Sequence, residues 1–310
     1  MPKIVSIGEI LVEIMRKEVG VPLGVPGDFV GPFPSGAPAI FADAVARLGG
    51  DVGFIGAVGD DPFGHLCYNR LKDDGVDISK LKIVKDKTTA CAFISYNQDG
   101  SRDFIFHLKD TAADSLSPED LEETYFQDVR IIHICGSALS VSENMRDACI
   151  QAARIVKSKG GKVFFDPNIR PQLLGIEEIR RIVTPIMEIC DVFLPSGEEA
   201  GMITGIADPV RACKSLSNRM IVVLKEGERG CTAFVRGEKF YSPAISVEIV
   251  DPTGAGDCFA GAMAVGMLED MPLPKLLRFA NIVAGLSLTR KGPMEGAPHR
   301  EVVEELLGYI

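Results

Sequence analysis

The chain has 310 residues, of which 46% are hydrophobic and 25% charged, a composition that excludes a disordered or fibrous protein. With 33 Lys and Arg against 43 Asp and Glu, the formal charge of −10 lacks the overall attraction for nucleic acid or anionic lipid that basic proteins have. The eight cysteines include no C-x-x-C pair, and neither a signal peptide nor an apolar stretch of about 18 residues occurs. These features predict a cytoplasmic protein without disulfides, a zinc site, or a nucleic-acid or membrane partner.

Short apolar runs rich in β-branched residues alternate with longer helical patterns along the chain. The predicted buried strands are Lys3–Gly8, Val52–Val58, Arg130–Cys135, Lys162–Asp166, Asp191–Leu194 and Met220–Lys225. The predicted helices are Ala39–Leu48, Pro62–Asp74, Val141–Lys159, Ile176–Ile189 and Pro209–Ser217. This alternation predicts a doubly wound α/β fold with a mostly parallel central sheet flanked by helices.

Two segments interrupt this alternation. Ile10–Pro34 is rich in glycine and proline, and Ala90–His107 has the pattern of two strands around a hairpin turn at Asn97–Gly100. We expect segments 10–38 and 90–109 to form a small antiparallel sheet, a lid inserted into one domain that spans residues 1–310. The alternative is a pair of surface loops, but the aromatic side chains of the second segment favour a covered sheet.

The strongest chemical signal is the segment Asp251–Ala262, DPTGAGDCFAGA, which follows a predicted strand at Ala244–Val250 and begins an apolar helix. Gly254 and Gly256 permit a tight turn that leaves backbone N–H groups free at the helix start, where the helix dipole favours an anion. Asp257, in the first helical turn, is placed to take a proton from a hydroxyl that attacks this anion. A simple turn with Asp257 as an N-cap is the alternative, but the complete string favours a function.

This string resembles the C-terminal signature of the ribokinase-like, or PfkB, family of carbohydrate kinases. Comparable segments follow in the family's order over nearly the whole chain: Leu48-Gly49-Gly50, Gly56–Gly64, Asp74-Gly75-Val76 and Leu194–Glu199. Within the family, Asp166–Pro171 followed by Leu194–Ala200 is most similar to 2-keto-3-deoxygluconate kinases and fructokinases. The resemblance implies a ribokinase-like fold and transfer of the γ-phosphate of ATP to a primary hydroxyl of a six-carbon sugar or sugar acid.

The resemblance also implies roles for the residues of the turn. Asp257 matches the family's catalytic base. Gly254, Ala255 and Gly256 match its anion hole, whose N–H groups stabilise the charge on the transferred phosphoryl group. Positioning and charge neutralisation are expected to supply most of the catalysis, because the transition state of such a transfer is loose.

Magnesium and nucleotide contacts follow from the same resemblance. Glu199 matches an acid that organises Mg²⁺ through water, a network that Asn168 can join, although a helix N-terminus also explains Glu199. Asp251 and Thr253 can lend oxygens to a monovalent cation such as K⁺. A hairpin turn and a helix-surface amide are the alternatives for several of the expected nucleotide contacts, which are Lys225, Gly227, Gly230, Thr253, Asn281 and Ser196.

The sugar pocket departs from the family pattern. The family's Gly-Gly-x-x-x-Asn-x-Ala is Ser35–Ala42 here, with Ile40 in place of Asn, Glu13 in place of a common Asp, and His107-Leu108 in place of a Tyr-Arg pair. A sugar hydroxyl left unpaired at Ile40 costs about 1–3 kcal/mol, so either the substrate lacks that hydroxyl or the pocket is rearranged. The expected substrate contacts are Glu13, Ser35, Gly36, Ile40, Asn168, Arg170 and Asp257.

The nature of the acceptor depends most on Arg170. Its guanidinium can bind a sugar-acid carboxylate, which puts a keto-deoxy sugar acid first, although a structural ion pair explains Arg170 equally well. Arg102 and Lys109 are further candidates for that carboxylate. Fructose, an inositol or a nucleoside is the alternative acceptor.

Two other classes of function are disfavoured, and one assembly is expected. A dinucleotide-dependent oxidoreductase is disfavoured because no G-x-G-x-x-G follows Gly8, and a silent sugar-binding regulator because Asp257 is present. The apolar face and free edges of the lid predict a homodimer formed through it.

Overall fold

The structure is a computed structural model that describes residues 1–169 and 174–308. Its strands are β1 (Ile4–Ile7), β2 (Leu11–Arg16), β3 (Phe29–Ser35), β4 (Val52–Gly59), β5 (Asp77–Val84), β6 (Ala90–Tyr96), β7 (Arg102–His107), β8 (Ile131–Cys135), β9 (Lys162–Asp166), β10 (Val192–Phe193), β11 (Ile221–Lys225), β12 (Cys231–Val235) and β13 (Glu238–Ser242). Its α-helices are α1 (Ala37–Arg47), α2 (Pro62–Asp73), α3 (Gly136–Leu139), α4 (Glu143–Ser158), α5 (Ile176–Ile189), α6 (Glu199–Thr204), α7 (Pro209–Leu216), α8 (Ala255–Leu268), α9 (Leu273–Ser287) and α10 (Arg300–Gly308). Short 3₁₀ turns lie at Ala112–Ser115, Pro118–Asp120, Glu123–Phe126 and Gly227–Arg229.

The large sheet has the strand order β13-β12-β11-β10-β9-β8-β1-β4-β5. All its pairs from β11 to β5 are parallel, and only β12 and β13 are added in antiparallel fashion. Successive side chains of a strand enter opposite cores: Phe164 packs with α1, α8 and α9, whereas Phe165 packs with α4 and α5. The predicted doubly wound, mostly parallel sheet with helices on both faces is confirmed.

Helix α8 packs closely against α1, and two glycines make this approach possible. A Cβ atom added at Gly261 of α8 would lie 3.2 Å from the Phe41 carbonyl oxygen and 3.2 Å from the Ala44 Cβ of α1. A Cβ atom at Gly254, just before α8, would lie 3.2 Å from the Ile40 Cγ2 atom. The starts of these two helices therefore lie side by side.

The small sheet is mixed, which corrects the expectation of an antiparallel lid. Its order is β3-β2-β6-β7; β2 pairs with β6 in parallel, and the two outer pairs are antiparallel. Strand β2 follows β1, and β6 follows β5, and both of those strands run in the same direction in the large sheet. The two continuations therefore also run in the same direction.

The strand predicted at Ala244–Val250 is wrong, because the segment is irregular. It leaves the edge of the large sheet directly after Pro243, and Ile249 and Val250 are exposed. The Val250 N–H donates to the Leu288 carbonyl at 2.8 Å, so the segment is fastened to the end of α9 instead of to a strand. Within the described ranges, no helix is long and apolar enough to cross a membrane.

Candidate active site

A cavity of about 260 Å³ lies between the small sheet and the carboxyl ends of the large sheet's parallel strands, where open α/β sheets bind their ligands. Asp166 and Lys225, the last residues of β9 and β11, form part of its wall, and Phe104 and Phe106 of β7 cover it. The predicted site residues that line the cavity are Glu13, Ser35, Gly36, Ile40, Asn168, Ser196, Glu199, Lys225, Thr253, Gly254, Gly256 and Asp257.

The turn formed by Gly254, Ala255 and Gly256, called the anion turn below, forms one wall of this cavity. Gly254 has a φ of 82°, in the left-handed region, and a Cβ there would lie 2.4 Å from the Pro293 carbonyl oxygen, so only glycine fits. Helix α8 begins at Ala255, and Asp257 lies in its first turn. The first N–H groups of a helix have no intrahelical acceptor, so this turn presents them beside the Asp257 carboxylate at the cavity wall.

A lysine ammonium lies against the anion turn. The Lys225 Nζ atom forms an ion pair with Asp166 and would lie 3.3 Å from a Cβ atom placed at Gly256. Burial acts to lower the pKa of Lys225, but the carboxylates of Asp166, Glu199 and Asp257 outweigh it and raise this pKa. The group is therefore a fixed positive charge beside the anion turn.

Glu199 connects the two loops that follow β9 and β10 through hydrogen bonds. Its Oε1 atom accepts a hydrogen bond from the Ile169 N–H at 2.7 Å, and its Oε2 atom accepts one from the Ser196 N–H at 2.6 Å. Burial, followed by repulsion from Asp166, raises the pKa of Glu199. The Asn168 amide, which lies in the loop after β9, donates to the Cys135 Sγ atom at 3.4 Å.

Two buried carboxylates, each bound to a serine, also line the cavity. The Ser35 hydroxyl donates to the Glu13 Oε1 atom at 2.7 Å, and the Ser137 hydroxyl donates to the Glu9 Oε1 atom at 2.6 Å. Glu9 and Ser137 were missed by the sequence analysis. A charged residue directly after Gly8, at the end of a buried strand, is the signal that could have identified Glu9.

The small sheet forms hydrogen bonds with residues 251–253, the loop that precedes the anion turn. The Tyr96 hydroxyl donates to the Asp251 Oδ1 atom at 3.0 Å, and the Arg102 Nη1 atom donates to the Thr253 Oγ1 atom at 3.1 Å. Asp251 is buried and also accepts hydrogen bonds from the N–H groups of Thr253 and Gly292, both at 3.0 Å. Asp251 therefore joins the lid, the turn and the segment that precedes α10.

Arg102 also lines this cavity, whereas several of the predicted nucleotide contacts do not. Gly227 and Gly230 have φ angles of 61° and 94° and form the connection between β11 and β12. The Asn281 amide is buried and donates to the Ser242 and Pro243 carbonyls at 2.9 and 3.1 Å, which joins α9 to the end of β13. Their contacts with a nucleotide stay predictions, and Arg170 lies outside the described residues.

Comparison with known proteins supports the resemblance. The family model described as pfkB family carbohydrate kinase matches residues 1–300. Fructokinase-2 of Oryza sativa subsp. japonica is 33% identical over 315 residues, which cover 98% of this chain and 93% of the rice protein. An E. coli structure titled "putative Ribokinase II in complex with ATP and Mg+2" is 40% identical with a TM-score of 0.93 over 100% of both chains. The 2-dehydro-3-deoxygluconokinase of Thermotoga maritima shares the fold alone, with 22% identity and a TM-score of 0.90 over 99% of this chain and 100% of that one. The chain belongs to the PfkB family of carbohydrate kinases.

Proposed function

We propose that the protein transfers the γ-phosphate of ATP, with Mg²⁺, to a primary hydroxyl of a neutral six-carbon sugar of the ketohexose type, such as fructose. One observation carries this proposal: the carboxylate of Asp257 and the anion turn line the same cavity as Glu9 and Glu13. ATP and Mg²⁺ are bound in the E. coli relative, and the rice relative is a fructokinase.

The proposed reaction uses groups that the fold already holds in place. Asp257 accepts the proton of the sugar hydroxyl. At the same time the sugar oxygen forms a bond to the γ-phosphorus, and the bond between the γ-phosphorus and the ADP oxygen breaks. The N–H groups of the anion turn and the Lys225 ammonium stabilise the charge on the moving phosphoryl group. Removing one such group from a preorganised site lowers kcat by about 10²–10³.

The residues at the ends of β9 and β10 fit a magnesium ion that keeps most of its water. Asp166, Asn168 and Glu199 supply carboxylate and amide oxygens, which Mg²⁺ prefers. Among residues 1–169 and 174–308, no group of three or more His, Cys, Asp or Glu side chains is arranged to hold a metal directly. The ion, when bound, neutralises charge on the phosphates, and these residues would hold it through water.

The two carboxylates favour a neutral acceptor over the keto-deoxy sugar acid that Arg170 suggested. Each of these carboxylates accepts a hydrogen bond from a serine hydroxyl, and the hydroxyl groups of a neutral sugar can donate to the same kind of acceptor. The carboxylate of a sugar acid has no proton to donate to them. One observation favours the acid as the second candidate: the Arg102 guanidinium also lines the cavity.

A substrate panel tests this proposal. ADP release is measured with fructose, other neutral sugars, an inositol, a nucleoside and 2-keto-3-deoxygluconate. We expect the highest kcat/KM for a neutral ketohexose, and a highest value for the keto acid would contradict the proposal. Asp257→Asn serves as the control and should retain ATP binding while turnover falls by about 10²–10⁴. Turnover that survives this substitution would exclude Asp257 as the base.

A monovalent cation and a dimer belong to the same proposal. K⁺ beside Asp251 and Thr253 is supported by their position next to the anion turn, and equal rates in potassium and tetramethylammonium salts would argue against it. Dimerisation through the lid is supported by Phe29 and Ile105 on its outer face, which are 39% and 47% exposed. A monomeric mass at micromolar concentration in light scattering would contradict the dimer. The cytoplasmic location stays a prediction.

A further inference from the structure

Arg102 extends from the lid to the loop of the anion turn. It begins β7, and its Nη1 atom donates to the hydroxyl of Thr253, the residue that directly precedes Gly254. The guanidinium carbon lies 5.5 Å from the centre of the Phe104 ring, a cation–π contact that restricts its orientation. A cation from the small sheet is thus held at the edge of the site that binds the phosphoryl group.

The charge of Arg102 is not neutralised by a carboxylate. Over residues 1–169 and 174–308, Arg102 forms no ion pair, and its Nε and Nη2 atoms make no hydrogen bond. The side chain lines the same cavity as Gly254, Gly256 and Asp257. A planar guanidinium with unused donors suits the oxygens of a phosphoryl group, to which it can donate two parallel hydrogen bonds.

A second lid residue contacts the same loop. Tyr96 of β6 is the direct partner of Arg102 across the strand pair, so both side chains leave the same face of the small sheet. The Tyr96 hydroxyl contacts the Asp251 Oδ1 atom at 3.0 Å and the Thr253 Oγ1 atom at 3.3 Å. Both lid residues therefore contact the loop that precedes the anion turn.

We propose that Arg102 is a further catalytic residue, which binds the oxygens of the γ-phosphoryl group while it moves from ADP to the sugar. This inference rests on the proposed kinase function. As the bond from the sugar oxygen to phosphorus forms and the bond to the ADP oxygen breaks, the hydroxyl proton passes to Asp257 and ADP leaves with the electron pair. Arg102 donates hydrogen bonds throughout and loses no proton, because a guanidinium stays charged.

The test compares Arg102→Gln and Arg102→Lys with Lys17→Gln, which removes an exposed positive charge near the lid without touching the cavity. For Arg102→Gln we expect kcat to fall about 10²–10³-fold, while the KM for the sugar and the Kd for ADP change less than about threefold. Arg102→Lys should recover part of kcat. Lys17→Gln should match the wild type.

Calorimetry gives a readout that a purely structural role would not change. In the presence of the sugar, Arg102→Gln should weaken binding of ADP with aluminium fluoride, a mimic of the transferring phosphoryl group, by about the factor lost in kcat. ADP alone should bind as before, and the melting temperature should stay within about 2 °C of the wild type, since the residue is partly exposed.

Two results would overturn the assignment. A higher KM for the sugar with an unchanged kcat would show that Arg102 binds the acceptor, as a sugar acid would require. Unchanged kcat, KM and aluminium fluoride binding would show that it has no role in transfer. The wild type is assayed first: absence of turnover on every sugar would refute the proposed function, whereas equal turnover by wild type and Arg102→Gln would refute this inference alone.

Discussion

Removing the Lys225 ammonium tests whether the ion pair at the ends of β9 and β11 is a necessary part of the fold. In Lys225→Met, Asp166 loses its partner while its side chain is only 3% exposed. Breaking a buried pair in this way costs about 3–5 kcal/mol, and the lower value applies because the cavity admits water. With an unfolding entropy of about 2.1 cal/mol/K per residue, 3 kcal/mol lowers the melting temperature of this chain by about 5 °C.

The effect should depend on pH, because Glu199 lies beside the same ammonium. Its pKa is raised in the folded protein, so the stability that it contributes is complete at low pH and is lost as the pH rises through its folded pKa. Loss of Lys225 raises this pKa further, because the ammonium is the neighbour that lowers it. The difference in melting temperature between wild type and Lys225→Met should therefore be larger at pH 8 than at pH 5.

Scanning calorimetry at the two pH values measures both effects. The control is the double variant Lys225→Met/Asp166→Asn, in which the uncompensated carboxylate is replaced by a neutral amide of the same shape. It should recover most of the lost stability, since the cost arises from the unpaired charge and not from the missing lysine stem. A double variant no more stable than the single one, or a difference equal at pH 5 and pH 8, would refute the reasoning.

Three further predictions concern other parts of the molecule. Glu13→Gln should raise the KM for a neutral sugar by about tenfold and the KM for a sugar acid less, which paired kinetics would reveal. Arg70→Met, which removes the guanidinium that contacts the buried Asp43 carboxyl group and Glu295, should cost about 3 kcal/mol in urea unfolding, whereas Arg181→Met, which removes an exposed ion pair, should cost under about 1 kcal/mol. Gly254→Ala should lower kcat at least about 10²-fold, whereas Gly175→Ala, at a position with open space, should leave it unchanged.

The sequence predicts well those features that depend on neighbours along the chain. The strand Lys162–Asp166 and the helix Ile176–Ile189 are found with the predicted bounds. Gly254 has the left-handed φ that the tight turn requires. In each case the strand pattern, the helix pattern or the turn is specified by nearby residues.

Features that depend on distant partners were not predicted. Ala244–Val250 has the apolar composition of a strand, but a strand forms only where another strand offers hydrogen bonds, and here the chain turns to α9. The parallel pairing of β2 with β6 depends on where two separate strands leave the large sheet. The sequence marks Glu9 as a charged residue after a buried strand, but its place in the cavity also depends on the central position of β1 between β8 and β4.

The contact between α1 and α8 bears on how acceptor preference can change. Ser35, which ends β3, and Gly36 precede α1, and Gly254 precedes α8. In the proposed reaction, the distance between alcohol and phosphate therefore depends on how closely these two interior helices approach. A larger side chain at Gly261 would push these helices apart and misalign the reactants without touching either of them. Variants selected for new acceptors should therefore accumulate changes in the lid strands, while Gly261 and the residues that it faces on α1 stay constant.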